Sequence, residues 1–180
     1  NYSIAFCSSL ESFIIPENAT NIGVYAFAFD SNLKTINIPK NLKTIPESMF
    51  YKCSSLTEIN FPDGVTTIGL YAFYQCLRLE KITIPGSLTE PGKRCFEGCF
   101  NLSSVTFLGT EDIDLNYTIF DNCIKLTSVN VPYDYKDDTF CGIPVNKMPS
   151  PNNNNKLSKS KIVAIVIGCI LGVAIIATII

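Results

Sequence analysis

The side chains that could do chemistry in this 180-residue chain are eight cysteines and sixteen acidic residues, with no histidine anywhere. A nucleophilic serine or cysteine needs a neighbouring base, and without imidazole the Ser-His and Cys-His arrangements are excluded. A zinc site needs closely spaced thiols. There is no C-x-x-C, and Cys95 and Cys99 stand too far apart to supply one. Paired carboxylates in a cleft are a third route to catalysis, but the dense acidic set, Asp134, Asp137 and Asp138, falls in a polar stretch that reads as a solvated cap. Gly64, Gly69, Gly86 and Gly92 sit at turn positions and lack the following Lys-Ser or Lys-Thr of a phosphate-binding loop. These exclusions point away from an enzyme, and neither a metal nor a cofactor is expected.

The placement of the cysteines is more informative than their number. Cys53, Cys76 and Cys99 are evenly spaced, with Cys7 and Cys123 continuing the column on either side. The step is about 23 residues, and three other columns keep it. Leu10, Leu33, Leu56, Leu79, Leu102 and Leu126 form one; Phe27, Phe50, Phe73, Phe96 and Phe120 a second; Pro16, Pro39, Pro62, Pro85 and Pro132 a third. A fixed period of this length is the mark of a repeat architecture. Stacked in register, the column thiols would have Cα atoms ~5 Å apart and parallel side chains, which keeps Cβ atoms beyond the ~3.5–4.5 Å that a disulfide prefers. Buried free thiols acting as small hydrophobes are therefore expected. Cys141, outside the column, is the thiol most suited to a partner, and Cys123 is the nearest column member in sequence.

One unit shows how such a coil is built. Residues 56–62 read LTEINFP and 79–85 read LEKITIP, an alternation that predicts a short strand closed by proline at its edge. TTIG follows as a second extended piece, and LYAFYQC predicts about one helical turn around Phe73. A single coil cannot bury its own apolar face, so the Leu, Ile and Phe columns must stack on those of neighbouring coils. About six coils, with strands ~4.8 Å apart, make a slab roughly 30 Å long with the sheet on its concave side.

The pattern L-x-x-I-x-I-P, then T-x-I-G, then A-F-x-x-C resembles the BspA-like, Treponema-type leucine-rich repeats over residues 4 to about 132. Leu56 to Cys76 and Leu79 to Cys99 carry it most clearly. The resemblance implies a leucine-rich-repeat solenoid of the α/β type, with short parallel strands lining a concave sheet and short helical turns outside; the apolar C-terminal run adds one transmembrane helix. It also implies a surface protein that binds cells or matrix, without naming a ligand. Three departures stand out: Asp30 replaces the column cysteine, Pro91 the isoleucine found at 22, 45 and 68, and Leu108 the proline. The coil from 102 to 125 also gains a residue. Degeneration toward this end suits a cap at 133–145, whereas residues 4–10 enter in mid-repeat and the solenoid is expected to continue upstream of them.

Two surfaces are candidates for binding. Side chains between the apolar strand positions should face solvent, among them Lys34, Asn37, Glu58, Asn60, Lys81 and Thr83. This face is small and polar and lacks Trp, Tyr and Arg, the usual hot-spot residues, so an ordinary solvated sheet is as good a reading. Phe29, Tyr51 and Tyr74 follow the core phenylalanines by one or two positions on successive coils, which sets them side by side along the outer edge. That row is the preferred contact surface, against the alternative that it packs over the outer turns.

After the cap, residues 146–160 (NKMPSPNNNNKLSKS) read as a polar, flexible linker. Residues 162–180 carry no charge and would span roughly 28 Å as a helix, close to the ~30 Å hydrocarbon core, so 161–180 is expected to be a single membrane span. Ala164, Gly168 and Gly172 recur every four residues, a small-residue face through which two such helices could self-associate. Lys156, Lys159 and Lys161 precede the span, which by charge alone would put that side in the cytosol; the family resemblance argues for the reverse. Without those three, 14 minus 3 leaves eleven basic against sixteen acidic residues, a net −5 that disfavours nucleic acid as a partner. Asn1, Asn18, Asn101 and Asn116 open N-x-S/T sequons, possible glycan sites on an external solenoid. Two readings stand: a surface-anchored module that recognises a protein or glycan ligand, and a coat or membrane-tethered intracellular scaffold.

Overall fold

A computed structural model of the chain describes residues 4–151 except 114 and 116, and residues up to Met148 belong to one compact unit. Each alternating stretch becomes a short strand. One strand per coil forms the first face: β1 (Ser12–Phe13), β2 (Thr35–Ile36), β4 (Glu58–Asn60), β6 (Lys81–Ile84), β8 (Ser104–Phe107) and β9 (Val129–Val131). The T-x-I-G pieces form the second: β3 (Thr44–Ile45), β5 (Thr67–Ile68) and β7 (Glu90–Pro91). Pairing is parallel and follows the period. Ser12 meets Thr35, Glu58 meets Lys81, Lys81 meets Ser104, and on the second face Thr44 meets Thr67 and Thr67 meets Glu90. The extra residue of the fifth coil moves the next register to Val105 with Val129. Pro91 occupies the last strand of the second sheet, where a residue without an amide donor interrupts nothing beyond it.

The core is the set of columns. Phe27, Phe50, Phe73, Phe96 and Phe120 stack ring on ring at 5.7, 5.1, 5.2 and 5.5 Å between centroids, with interplanar angles of 10–23°. Burying each ring is worth about 1.5–3 kcal/mol, and offset stacking adds about 0.5–1.5 kcal/mol per pair. Leu33, Leu56, Leu79, Leu102 and Leu126 are buried alongside.

The helical turn expected around Phe73 does not form, and among the described residues there is no helix at all. The backbone shows why. Tyr71, Phe73 and Gln75 donate their amides to Lys93, Cys95 and Glu97 of the next coil, at 3.4, 2.7 and 2.8 Å. Ala72, Tyr74 and Cys76 donate instead to the carbonyl three residues back. Alternate amides therefore leave the segment, and a helix, which needs all of them internally, is excluded. The geometry is reached through left-handed residues four apart: Tyr25 and Phe29, Ser48 and Lys52, Tyr71 and Gln75, Arg94 and Gly98. For a non-glycine residue that conformation costs roughly 1–2 kcal/mol, which the bonds between coils offset.

The end of the unit is a hairpin. β10 (Thr139–Phe140) pairs antiparallel with β11 (Ile143–Lys147), and β11 continues the first face by pairing parallel with β9. Phe140 closes the aromatic core, stacking on Phe107 at 4.3 Å and tilting against Phe120 at 6.3 Å. Paired backbone thus runs through Asn146 and Lys147, two residues into the stretch read from sequence as linker. The span at 161–180, with Ala164, Gly168 and Gly172, lies outside the described residues; among those described, no helix is long and apolar enough to cross a membrane.

Close stacking leaves no room for a side chain at Gly69 or, one coil on, at Gly92. A Cβ on Gly69 would sit 2.4 Å from the Glu47 amide nitrogen of the preceding coil, whereas one on Gly64 would meet only the Lys43 Nζ at 4.0 Å. Gly69→Ala should lower unfolding stability by about 1–3 kcal/mol, the range of overpacked cores, and Gly64→Ala should leave it nearly unchanged. Urea titration of both variants checks the contrast.

Candidate recognition surface

The outer edge carries the densest set of side chains that the core does not require. Phe29 and Tyr51 lie 5.3 Å apart with rings tilted at 56°, and Tyr51 stacks on Tyr74 at 4.9 Å and 12°. The structure therefore brings together the three aromatics picked out by their spacing, each partly buried. It adds two members. Phe6, one period before Phe29, stacks on it at 4.6 Å and 8° and is 64 % exposed. Lys52, one period after Phe29, holds its ammonium 5.8 Å from the Phe29 ring centre and 5.5 Å from that of Tyr51, within cation–π range. Both were within reach of the 23-residue period, had it been applied to Phe29 in both directions. Phe29, Lys52, Gln75 and Leu77, with Ser31 and Ser54, border a shallow groove of about 290 Å³.

Burial, then the Tyr25 and Tyr71 hydroxyls, push the Tyr51 phenol above its usual range, so it stays a neutral donor at neutral pH. Tyr71 meets Tyr74 edge-on at 5.4 Å and accepts a bond from Arg94 Nη1 at 3.4 Å. These contacts brace the row from one side.

The strand face is a separate surface and is largely self-satisfied. Lys81 pairs with Glu58 at 3.2 Å and Lys34 with Glu11 at 2.9 Å, exposed ion pairs of the kind worth about 0–1 kcal/mol. Asn37 bonds both ways to one residue: its Oδ1 accepts from Ile15 N at 2.7 Å and its Nδ2 donates to Ile15 O at 3.0 Å. It therefore extends the β1–β2 pairing beyond the strand ends. Asn60 is exposed and Thr83 half-buried. In the cap, acidic groups hold the hairpin: Asp137 Oδ2 accepts from Asp112 N at 2.8 Å, Asp112 Oδ1 accepts from Cys141 N at 2.9 Å, and Lys136 pairs with Glu111. Among the described residues no group of three or more Cys, Asp or Glu is placed to hold a metal ion.

The cysteine column is a hydrogen-bond column. Cys53, Cys76, Cys99 and Cys123 direct their thiols at the carbonyls of Phe27, Phe50, Phe73 and Phe96, at 3.0, 3.3, 3.2 and 3.2 Å. All four are buried and free, and burial raises the thiols of Cys53, Cys76 and Cys99 well above their usual range. Cys7 departs from the column expectation: it is exposed, with no coil stacked over it among the described residues. Cys141 is free and half-buried, and Cys123 is free as well, so the two form no disulfide. Asp30, in the missing cysteine's place, is buried; Oδ1 accepts from Cys7 N at 2.7 Å while Oδ2 has no partner among the described residues. Desolvation raises its carboxyl to about 6, opposed only by the Cys7 bond.

Of the sequons, Asn18 is exposed, and Asn101 is drawn into a ladder, donating to Leu77 O at 2.8 Å and accepting from Lys125 Nζ at 2.6 Å. Asn1 and Asn116 lie outside the described residues.

A family model for the BspA type leucine rich repeat region matches residues 1–127 and 43–161, in six copies. The chain belongs to the BspA-type leucine-rich repeat family. Its coils superpose on a leucine-rich repeat protein from Bacteroides ovatus at 28 % identity and a TM-score of 0.64, over 84 % of this chain and 40 % of that one. The pneumococcal vaccine antigen PcpA shares the fold at 22 % identity and a TM-score of 0.58, over 71 % of this chain and 32 % of its own. This BspA-type chain thus spans about two fifths and one third of the two structures. No curated protein matches it. The repeat family and its fold are typically non-enzymatic.

Two predictions follow from the column. In the native protein a thiol reagent read out by mass spectrometry should modify Cys7 readily and Cys141 slowly, and should reach Cys53, Cys76, Cys95, Cys99 and Cys123 only on unfolding. Asp30 binds its proton more tightly folded (about 6) than unfolded (3.8), so its contribution is most favourable below about pH 4 and is lost as the pH rises through 6. Asp30→Asn should therefore raise the melting temperature at pH 7, with the gain shrinking toward pH 4; parallel melting profiles would contradict this.

Proposed function

We propose that this chain is a non-enzymatic recognition module of a cell surface, tethered by a membrane helix at 161–180 and presenting the outer edge of its solenoid to proteins or glycans of other cells or matrix. The observation that carries the reading is the aromatic row itself. Phe6, Phe29, Tyr51 and Tyr74 form a continuous run of ring contacts along the edge, part-exposed and outside the main phenylalanine stack. Rigid aromatics with few rotatable bonds lose little entropy on binding, which suits them as anchors of an interface. The uncharged run at 162–180 supports a tether, and membership of the repeat family supports the surface location.

The test uses cells that display the full chain. Tyr51→Ala with Tyr74→Ala should reduce attachment to cells or coated matrix at least tenfold while the amount of displayed protein is unchanged. Attachment that survives the double substitution refutes the row as the contact surface. Protease added to intact cells should remove the solenoid; a solenoid protected until the membrane is permeabilised would establish the intracellular scaffold instead.

A further inference from the structure

The residue after each column cysteine belongs to a second row, outside the aromatic one. On three coils the residues just past this corner are Ser8, Ser31 and Ser54; on the next three they are Leu77, Phe100 and Ile124. Backbone and side-chain bonds keep the row in register: Ser54 Oγ donates to Ser31 O at 3.2 Å, and Asn101, beside Phe100, donates to Leu77 O at 2.8 Å. The apolar members are 37 %, 42 % and 75 % exposed, and none belongs to the core.

Two cations flank this stripe. Arg78 follows Leu77 and Lys125 follows Ile124, both exposed, and neither has a carboxylate within ion-pair distance among the described residues. Lys125 rests instead on Asn101 Oδ1. The carboxylates in the adjoining turns are engaged: Glu97 pairs with Arg94 at 3.3 Å, and Asp121 accepts the Thr118 hydroxyl at 2.5 Å.

We infer that this stripe receives an acidic amphipathic helix of a protein partner. The coils repeat every 5.1–5.5 Å along the phenylalanine stack. Helix residues at i, i+3 or i+4, and i+7 advance by about 4.5–6 Å and then about 10.5 Å, so each apolar side chain meets one coil. Carboxylates seven residues apart then meet Arg78 and Lys125, which stand two coils apart. An extended strand offers same-face side chains about 6.6–6.8 Å apart and drifts out of step. A fluid anionic membrane offers no fixed spacing of charges and apolar groups to match that of the coils, and it is the alternative that vesicle binding tests. The inference goes beyond the recognition reading; Leu77 also borders the groove beside the aromatic row, and Phe100, Ile124, Arg78 and Lys125 are the residues that belong to this site alone.

The probe is a labelled 18-residue peptide with Leu at i, i+3, i+4 and i+7 and flanking Glu, titrated into the full chain and followed by fluorescence anisotropy. It should bind at least tenfold more tightly than a scrambled peptide of the same composition or one with Lys in place of Glu. Phe100→Ser with Ile124→Ser should weaken it at least tenfold, with the melting temperature unchanged because both positions are exposed. Arg78→Glu with Lys125→Glu should reverse the preference toward the Lys peptide. Tyr51→Ala with Tyr74→Ala should leave peptide binding intact, so that loss of adhesion and loss of this site are told apart. Equal binding of the scrambled peptide, or indifference to the Phe100 and Ile124 substitutions, overturns the inference. So does capture by phosphatidylserine vesicles that those substitutions abolish while the peptide does not bind.

Discussion

In the outer turns of this protein, alternate backbone amides are satisfied only by the neighbouring coil. Amides of Tyr71, Phe73 and Gln75 are satisfied only by the next coil, as are those of Ser48, Phe50 and Lys52 one coil earlier. A buried amide without a partner costs about 1–3 kcal/mol, so a coil displaced from its register would lose several such bonds at once. Stacking is consequently both the source of stability and the thing that holds each side chain at its height along the solenoid.

The side-chain columns follow from that constraint. With coils set about 5 Å apart, a phenylalanine at one position must stack on its predecessor, and the space beside it admits a small residue with a weak donor. Cysteine fits: its thiol reaches the phenylalanine carbonyl across the coil boundary, at 3.0–3.3 Å in four successive instances. Asp30 occupies the same niche with a charge, and one of its oxygens is left without a partner among the described residues. The same register that builds the core also prints rows on the surface, the aromatic row at the edge and the Leu77–Phe100–Ile124 row beside it. A repeat protein acquires extended binding surfaces in this way, because any solvent-facing position is multiplied along the stack.

The stack must also end. β11 adds one more strand to the first face, and β10 folds back antiparallel over it, so that the outermost strand is only two residues long. A short outer strand presents little free edge to another chain. Phe140 meanwhile covers Phe107 and Phe120, giving the last turn of the aromatic stack an apolar lid.

Much of this was legible in the residues. The 23-residue period determined the number of coils, the strand register, the phenylalanine and leucine columns and the side-by-side placement of Phe29, Tyr51 and Tyr74, because a stacked repeat converts sequence spacing directly into distance. The outer turns were not legible. LYAFYQC has the composition of a helical turn, but its alternate amides are claimed by the following coil, and Tyr71 and Gln75, neither of them usual left-handed residues, take that conformation to make this possible. Asn37 reads as a solvent-facing strand residue and is instead bonded at both ends of its amide to Ile15. Cys141 stands nearest Cys123 in sequence, yet both thiols are free, and the Cys141 amide is held by Asp112 Oδ1 at 2.9 Å. In each case the deciding partner lies on another coil, and a single segment carries no record of the carbonyls, amides or thiols that its neighbours will offer.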